Sequence, residues 1–227
     1  MIKVTSSKLH WNYFLALEQD MERTARYIEF CHANRAVFSI ELARLLFAAA
    51  SEVDVLAKCI CKIIKPKAAC GNMDDYRQIF SNASKLPVRD VGHIPSLAKI
   101  EVYLPRYGMK LTPWNKWANG VKNPDWWRSY NHVKHKRNRF FQEATLKNAL
   151  NALGALLVMN YCYHFLLLIR PISGPSNRFP PYRSWASGNA MRVTSSLTPQ
   201  SVLFRLPEDY YDSPCRQLAE FAKSFDP

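Results

Sequence analysis

Apolar residues recur every three or four positions along four long stretches of the chain, and this helical period constrains the fold more than any other feature. The stretches cover residues 8–32, 39–64, 124–140 and 145–169. Amphipathic helices of this length must bury their apolar faces against one another. We therefore predict a mainly α protein built as an up-and-down four-helix bundle.

Three of these helices have recognisable start residues. Ser39 is placed to cap the second helix, and Thr145 is placed to cap the fourth. For the third helix, Asn123 is the expected cap and Pro124 the expected first residue, while Asp125 puts a negative charge at the positive end of the helix dipole. The sequence thus predicts where each of the three begins.

Residues 66–123 differ in character from the bundle helices, because proline and glycine are frequent and the apolar runs are short. We interpret this region as a module inserted into a bundle domain that spans residues 1–170. Residues 74–82 are expected to form a short helix. Residues 100–104 alternate like a strand and are followed by a turn and a returning segment at 109–112, which predicts a small β-hairpin.

Residues 171–227 are rich in proline, serine and glycine but also contain several aromatic residues. The aromatic residues favour an ordered C-terminal extension that packs on the bundle. Within it, residues 201–206 suggest a strand and residues 214–225 a last helix.

The chain has a formal charge of +13 over 227 residues and an isoelectric point near 9.6. Such an excess of cations favours polyanionic partners, either a nucleic acid or an anionic membrane. Residues 150–169 are about long enough to cross a bilayer, but Asn151, Asn160 and His164 interrupt the apolar run. A buried bundle helix is therefore favoured, and we expect no membrane partner.

The six cysteines show no CxxC pair, and the first residues lack the apolar segment of a signal peptide. Both observations favour reduced thiols and a cytoplasmic protein. Cys59 and Cys61 diverge by about 200° on a helix, so they cannot chelate one ion together. We expect no metal site and no other cofactor.

The stretch from Asp125 to Arg139 combines aromatic, basic and imidazole side chains. If it is one helix, a polar line runs along Arg128, Asn131, His135 and Asn138, with His132 and Arg139 beside it. The opposite, apolar face is formed by Trp126, Tyr130, Val133, Phe140 and Ala144. The helix is thus predicted to have an exposed cationic side and a buried side.

Arg128 and His135 differ by about 20° around such a helix and lie about 10 Å apart along it. Arginine offers a permanently charged fork of donors for phosphate, and histidine exchanges protons near neutral pH. Metal-free RNA cleavage needs both properties, because the 2′-hydroxyl attacks the adjacent phosphate and the leaving 5′-oxygen must be protonated. Asn131 is a candidate to orient the imidazole or the phosphate.

Other basic residues of this stretch are candidates for RNA contacts: His132, Lys134, Lys136, Arg137 and Arg139. His132 is either a second imidazole of the site or part of a solvated stripe. A solvated basic face without a ligand is the plain alternative for the whole group. Trp126 and Trp127 have the ring systems that stack on unpaired bases, although the position of Trp126 favours the core.

The Arg128-x6-His135 spacing near a helix start resembles the Rx4-6H signature of the HEPN superfamily, whose members are helical bundles. The run from Trp126 to Arg137, followed by Ala144-Thr145-Leu-Lys-Asn-Ala-Leu, is similar to HEPN-like bacterial proteins. The resemblance covers about residues 9–64 and 124–169. Where family members often carry asparagine or aspartate after the arginine, this chain has Ser129.

The resemblance implies a metal-independent endoribonuclease in which Arg128 binds phosphate and His135 is the general acid or base. It also implies a homodimer that brings two such pairs together, and a role as a toxin or antiviral effector with an antitoxin or defence-complex partner. The alternative is a noncatalytic HEPN-like module that binds RNA or another protein.

Four polar residues of the predicted helices need a place in the fold: Glu52, Arg137, His164 and His10. Glu52 and Arg137 fall among apolar positions, so they either form an ion pair or lie at the bundle edge and reach water. His164 is expected to be a hydrogen-bonded core residue, and His10 shows no partner at catalytic spacing.

Overall fold

The computed structural model of this protein describes residues 8–83, 97–119, 122–169 and 201–206. It is mainly α-helical, as the spacing of the apolar residues predicts. Within these residues the α-helices are α1 (Leu9–Thr24), α2 (Ile40–Ile64), α3 (Met73–Ala83), α4 (Asp125–His135), α5 (Arg137–Phe140) and α6 (Leu146–Ile169). Strands β1 (Val102–Leu104) and β2 (Met109–Leu111) form a two-stranded sheet. The predicted fold class, mainly α, is confirmed.

Helices α2 and α6 form the central contact of the molecule, and α1 and α4 each pack against both of them. Residues 148–160 of α6 are buried on every side. Burial by neighbouring helices thus accounts for the long apolar run of α6. No helix in the described part of the chain has the length and apolarity needed to cross a membrane.

The two central helices begin side by side, each with the predicted cap. The Ser39 hydroxyl accepts a hydrogen bond from the Leu42 amide at 3.1 Å, and the Thr145 hydroxyl accepts one from the Asn148 amide at 3.2 Å. The Leu146 amide donates to the Val37 carbonyl at 2.8 Å. These contacts hold the two helix starts together.

The first helix is shorter than the sequence predicts, since α1 ends at Thr24 and not at His32. The hydroxyl of Thr24 donates to the Met21 carbonyl at 2.5 Å, and such a bond from a β-branched residue competes with the helical pattern. The chain then turns so that Phe30 is buried against Tyr107, with ring centroids 4.8 Å apart. Contact with the hairpin has overridden the apolar period here.

The predicted β-hairpin is confirmed, with Val102 opposite Leu111 in an antiparallel register. Gly108 closes its turn at a φ of 57°, a conformation that favours glycine. Val102 and Leu111 lie within van der Waals distance of a Cβ built on Gly154, so the hairpin packs directly on α6. The predicted inserted region therefore shares one core with the helices, and α3 confirms the short helix expected near residues 74–82.

Residues 201–206 pack on the rest of the chain, as the sequence predicts for the C-terminal extension. Arg205 and Tyr103 exchange two backbone hydrogen bonds of 2.8 Å, which extends the hairpin by a single bridge instead of the expected full strand. Leu203 and Phe204 are buried in the core. The helix predicted at 214–225 lies outside the described residues, and the proposed domain limits at residue 170 stay a prediction.

Candidate active site

The buried face of α4 is fixed by aromatic packing. Trp126 is 2% exposed, and its indole N–H donates to the Pro113 carbonyl at 2.8 Å. Tyr130 meets the ring of Phe47 edge-on at 5.8 Å, and Val133 is fully buried. The predicted core face is confirmed through Val133, so the polar side of α4 points away from the bundle.

The helix start differs from the prediction by one residue. Helix α4 begins at Asp125, and Pro124 occupies the capping position with extended backbone (φ −54°, ψ 144°) and no side-chain cap. The side-chain oxygen of Asn123 accepts a 3.4 Å hydrogen bond from Arg77 instead. Asp125 lies in the first turn, as predicted, and forms ion pairs at 3.4 Å with Arg128 and at 3.8 Å with Lys116.

Arg128 and His135 both belong to α4 and are both exposed. The side chain of Arg128 is 63% exposed, and its ion pair with Asp125 is of the solvated kind that contributes at most about 1 kcal/mol. A phosphate can compete with such a pair. Among the described residues, His135 has no hydrogen-bond or ion-pair partner.

Asn131 lies between them but is directed toward its own helix. Its side-chain amide donates to the Trp127 carbonyl, four residues earlier, at 3.0 Å. The predicted role of Asn131, to orient the imidazole or the phosphate, would therefore fall to its side-chain oxygen.

Helix α4 ends at His135, whereas the sequence predicts one helix through Phe140. Lys136 leaves the helical conformation (φ −141°, ψ 53°), and the four-residue α5 follows. Residues 134–139 are all exposed and mostly cationic, so a continued helix would have gained little apolar contact and stacked like charges one turn apart. Because of this break, Asn138 does not continue the line of Arg128 and His135.

The cationic side chains at the end of α4 and just beyond it contact aromatic residues. Lys134 donates to the Tyr130 hydroxyl at 3.1 Å, and the Arg139 guanidinium lies 5.3 Å from the Phe140 ring centroid. The Arg137 guanidinium lies 5.3 Å from the centroid of Phe47. These contacts position the cations while their charges stay accessible to solvent.

Of the two alternatives for Glu52 and Arg137, the ion pair between them is not formed. Glu52 instead lies 2.5 Å from Nδ1 of His10, and both side chains are largely buried. Helical spacing located the acidic residue but not its partner, because His10 is 42 positions away and lies on another helix.

The structure brings Glu143, which the sequence pattern does not point to, next to His132. Nδ1 of His132 lies 3.1 and 3.2 Å from the two carboxylate oxygens of Glu143. The imidazole also stacks on Phe140 with ring centroids 4.6 Å apart. His132 and Glu143 are 11 positions apart, and the end of α4 at His135 allows the chain to turn back and bring them together. Helical spacing therefore does not predict this pair.

Two other ionisable groups are buried on α2 and α6. Burial lowers the pKa of His164 to about 4, and its Nε2 has no hydrogen-bond partner within the described residues, contrary to the expectation of a hydrogen-bonded core histidine. Burial raises the pKa of the Cys61 thiol, which interacts with Cys70. In the described part of the chain, no three His, Cys, Asp or Glu side chains are grouped to hold a metal ion.

Comparisons with protein-family models, with curated proteins and with solved structures found no match to this chain.

Proposed function

We propose that this protein is a HEPN-like, metal-independent endoribonuclease that uses Arg128 and His135. The observation that carries the proposal is the single exposed face of α4 on which both residues lie, opposite the face anchored by Trp126 and Val133. In this proposal Arg128 binds the scissile phosphate and neutralises the charge that builds up on it, while His135 transfers a proton.

The packing of the long helices supports the HEPN-like, up-and-down bundle. Helix α1 runs against α2, because His10 lies near Glu52 while Asp20 lies near Arg44. Helix α4 also runs antiparallel to α2, because Tyr130 contacts Phe47 while Val133, later in α4, shares a buried cluster with Ala43, earlier in α2. Helix α6 runs in the same direction as α2, because the two helices begin side by side. Alternating directions in the order α1, α2, α4, α6 are those of such a bundle.

Ser129, which stands where HEPN proteins often carry asparagine or aspartate, does not belong to the exposed face of Arg128 and His135. Ser129 is 4% exposed and therefore lies on the buried side of α4. The exposed cations at Lys134, Lys136 and Arg139 supply contacts to the RNA backbone in this proposal. From the family resemblance we further propose a homodimer, a cytoplasmic location and a role in toxin or antiviral systems with an antitoxin or defence-complex partner.

Cleavage of single-stranded RNA by the purified protein in the presence of EDTA tests the proposal. Arg128→Ala and His135→Ala should each lower the rate by at least about 100-fold. Arg23→Ala is a matched control, because Arg23 is 64% exposed and pairs with Asp20 at 3.2 Å much as Arg128 pairs with Asp125. His32→Ala, at another exposed histidine, is the control for His135.

The controls should cut at the wild-type rate. Equal cleavage by all four variants would refute the assignment of the site. Binding of RNA by a wild-type protein that never cuts it would favour the alternative function, a noncatalytic RNA-binding module, for which the exposed run of cations at 134–139 is the supporting observation.

A further inference from the structure

The imidazole of His132 is held in both position and plane. Glu143 contacts Nδ1 through both carboxylate oxygens, at 3.1 and 3.2 Å. Phe140 stacks against the ring at an interplanar angle of 30°. The His132 side chain nevertheless remains 39% exposed, so a ligand at the surface of α4 can reach it.

The carboxylate also decides which ring nitrogen is free. Since an ionised carboxylate only accepts hydrogen bonds, Nδ1 of His132 carries the proton that Glu143 accepts. In the neutral ring the lone pair is then on Nε2. No described residue forms a hydrogen bond with Nε2. This atom is therefore available to take or give a proton.

His132 shares the exposed face of Arg128 and His135. Relative to Arg128, His132 is turned by about 40° and His135 by about 20° in the opposite sense. The three side chains thus lie within a sector of about 60°, with rises of about 6 and 10 Å from Arg128. Helical spacing thus places one histidine on each side of the line through Arg128.

We infer that His132, positioned by Glu143, is a second proton-transferring residue that works with His135 on an RNA phosphodiester. The inference rests on the function proposed above. One imidazole acts as general base and the other, protonated, as general acid, which is a division of labour that a single histidine cannot perform in one step.

The reaction balances with the substrate alone. A lone pair of the 2′-oxygen forms a bond to phosphorus while the basic imidazole takes the 2′ proton. The bond from phosphorus to the 5′-oxygen breaks, its electron pair stays on that oxygen, and the acidic imidazole supplies a proton to it. The products are a 2′,3′-cyclic phosphate and a 5′-hydroxyl, and no atom is oxidised or reduced.

A substrate with sulphur in place of the bridging 5′-oxygen tests the inference, because a thiolate leaves without protonation. On ordinary RNA, His132→Ala and His135→Ala should each slow cleavage by about 100-fold or more. On the sulphur substrate, one of the two variants should recover to within about tenfold of wild type and the other should not. The recovered variant identifies the general acid.

Glu143 needs a separate readout, since it acts through His132. Glu143→Gln should lower kcat with little change in KM, and adding it to His132→Ala should cause no further loss. Glu52→Gln is the matched control, because Glu52 also contacts an imidazole, that of His10 at 2.5 Å, but these two residues belong to α2 and α1. This control should cleave at the wild-type rate.

Three results would overturn the inference while leaving the proposed nuclease intact. In the first, His132→Ala cleaves ordinary RNA at the wild-type rate. In the second, both histidine variants regain a nearly wild-type rate on the sulphur substrate, and in the third neither variant does. A wild-type protein that cuts neither substrate would refute the proposed function itself, and this inference with it.

Discussion

The carboxylate of Glu18 accepts a hydrogen bond from the backbone amide of Leu203 at 2.9 Å, although 185 positions separate the two residues. It also accepts from the Ser201 hydroxyl at 2.5 Å and the Val202 amide at 3.2 Å. Glu18 is 2% exposed, and these three donors take the place of water around its charge. A residue of the first helix thus anchors a segment near the end of the chain.

Removing this anchor should release residues 201–206. Glu18→Ala is expected to lower the free energy of unfolding by about 2 to 4 kcal/mol, because three hydrogen bonds to a buried carboxylate are lost. Urea denaturation measures the loss, and trypsin should cut after Arg205 faster than in wild type. Glu22→Ala is the control, since the Glu22 carboxylate forms a solvated ion pair with Arg106 and no other ion pair with the residues that the structure describes. Equal losses in both variants would contradict the anchoring role.

His164 should make stability depend on pH between about 6.5 and 4. Burial lowers its folded-state pKa to about 4 from a usual 6.5, so the unfolded state binds more protons in this window. Stability is then complete above pH 6.5 and is lost as the pH falls, by about 2 kcal/mol between pH 7 and pH 5. Denaturant titrations at several pH values measure this slope.

The substitution His164→Leu should remove that part of the pH dependence, while His32→Leu, at an exposed site, should keep it. An unchanged slope in His164→Leu would show that another group is responsible.

Two glycines should respond in opposite directions to alanine. Gly154 lies within α6, and a Cβ there would meet Leu111 and Val102 at ordinary contact distances of 3.5 and 3.7 Å. Gly154→Ala should therefore stabilise the protein by up to about 1 kcal/mol through helix propensity. Gly108→Ala should destabilise it by about 1 kcal/mol, because a φ of 57° is strained for alanine. Thermal unfolding compares the two, and stabilisation by Gly108→Ala would contradict the turn geometry.

Exposed cations beyond α4 should control the salt dependence of RNA binding. The double variant Lys136→Ala and Arg139→Ala removes two charges, so the slope of log affinity against log salt should fall by about 1 to 2. Filter binding over a salt series measures the slope. A control with Lys62→Ala and Lys67→Ala removes two exposed charges elsewhere and should leave the slope unchanged.

Local signals in the sequence predicted the central helices well. Ser39 and Thr145 are caps whose effect depends on three neighbouring residues, so their prediction needs no tertiary information. The end of α1 was predicted wrongly because Phe30 turns toward Tyr107, a residue of the hairpin. Contacts between distant segments leave no periodic trace.

In the candidate site, too, helical spacing predicts the neighbours on one helix but not the contacts between segments. Arg128 and His135 share α4, so helical spacing places them on one face. Glu143 joins His132 only because the helix stops at Lys136, and Arg137 turns to Phe47 instead of Glu52. Helical spacing therefore predicts the shared face of Arg128 and His135, whereas the contact between His132 and Glu143 depends on a helix end that the sequence pattern does not show.

The indole hydrogen bond of Trp126 and the buried Val133 fix the rotational setting of α4 at both ends. Substitutions on the exposed face leave this setting intact, but an inserted or deleted residue between the two anchors would rotate one part of the helix by about 100° relative to the other. Arg128 and His135 would then no longer share a face. Among relatives of this chain, the segment should therefore vary in residue type while keeping its length.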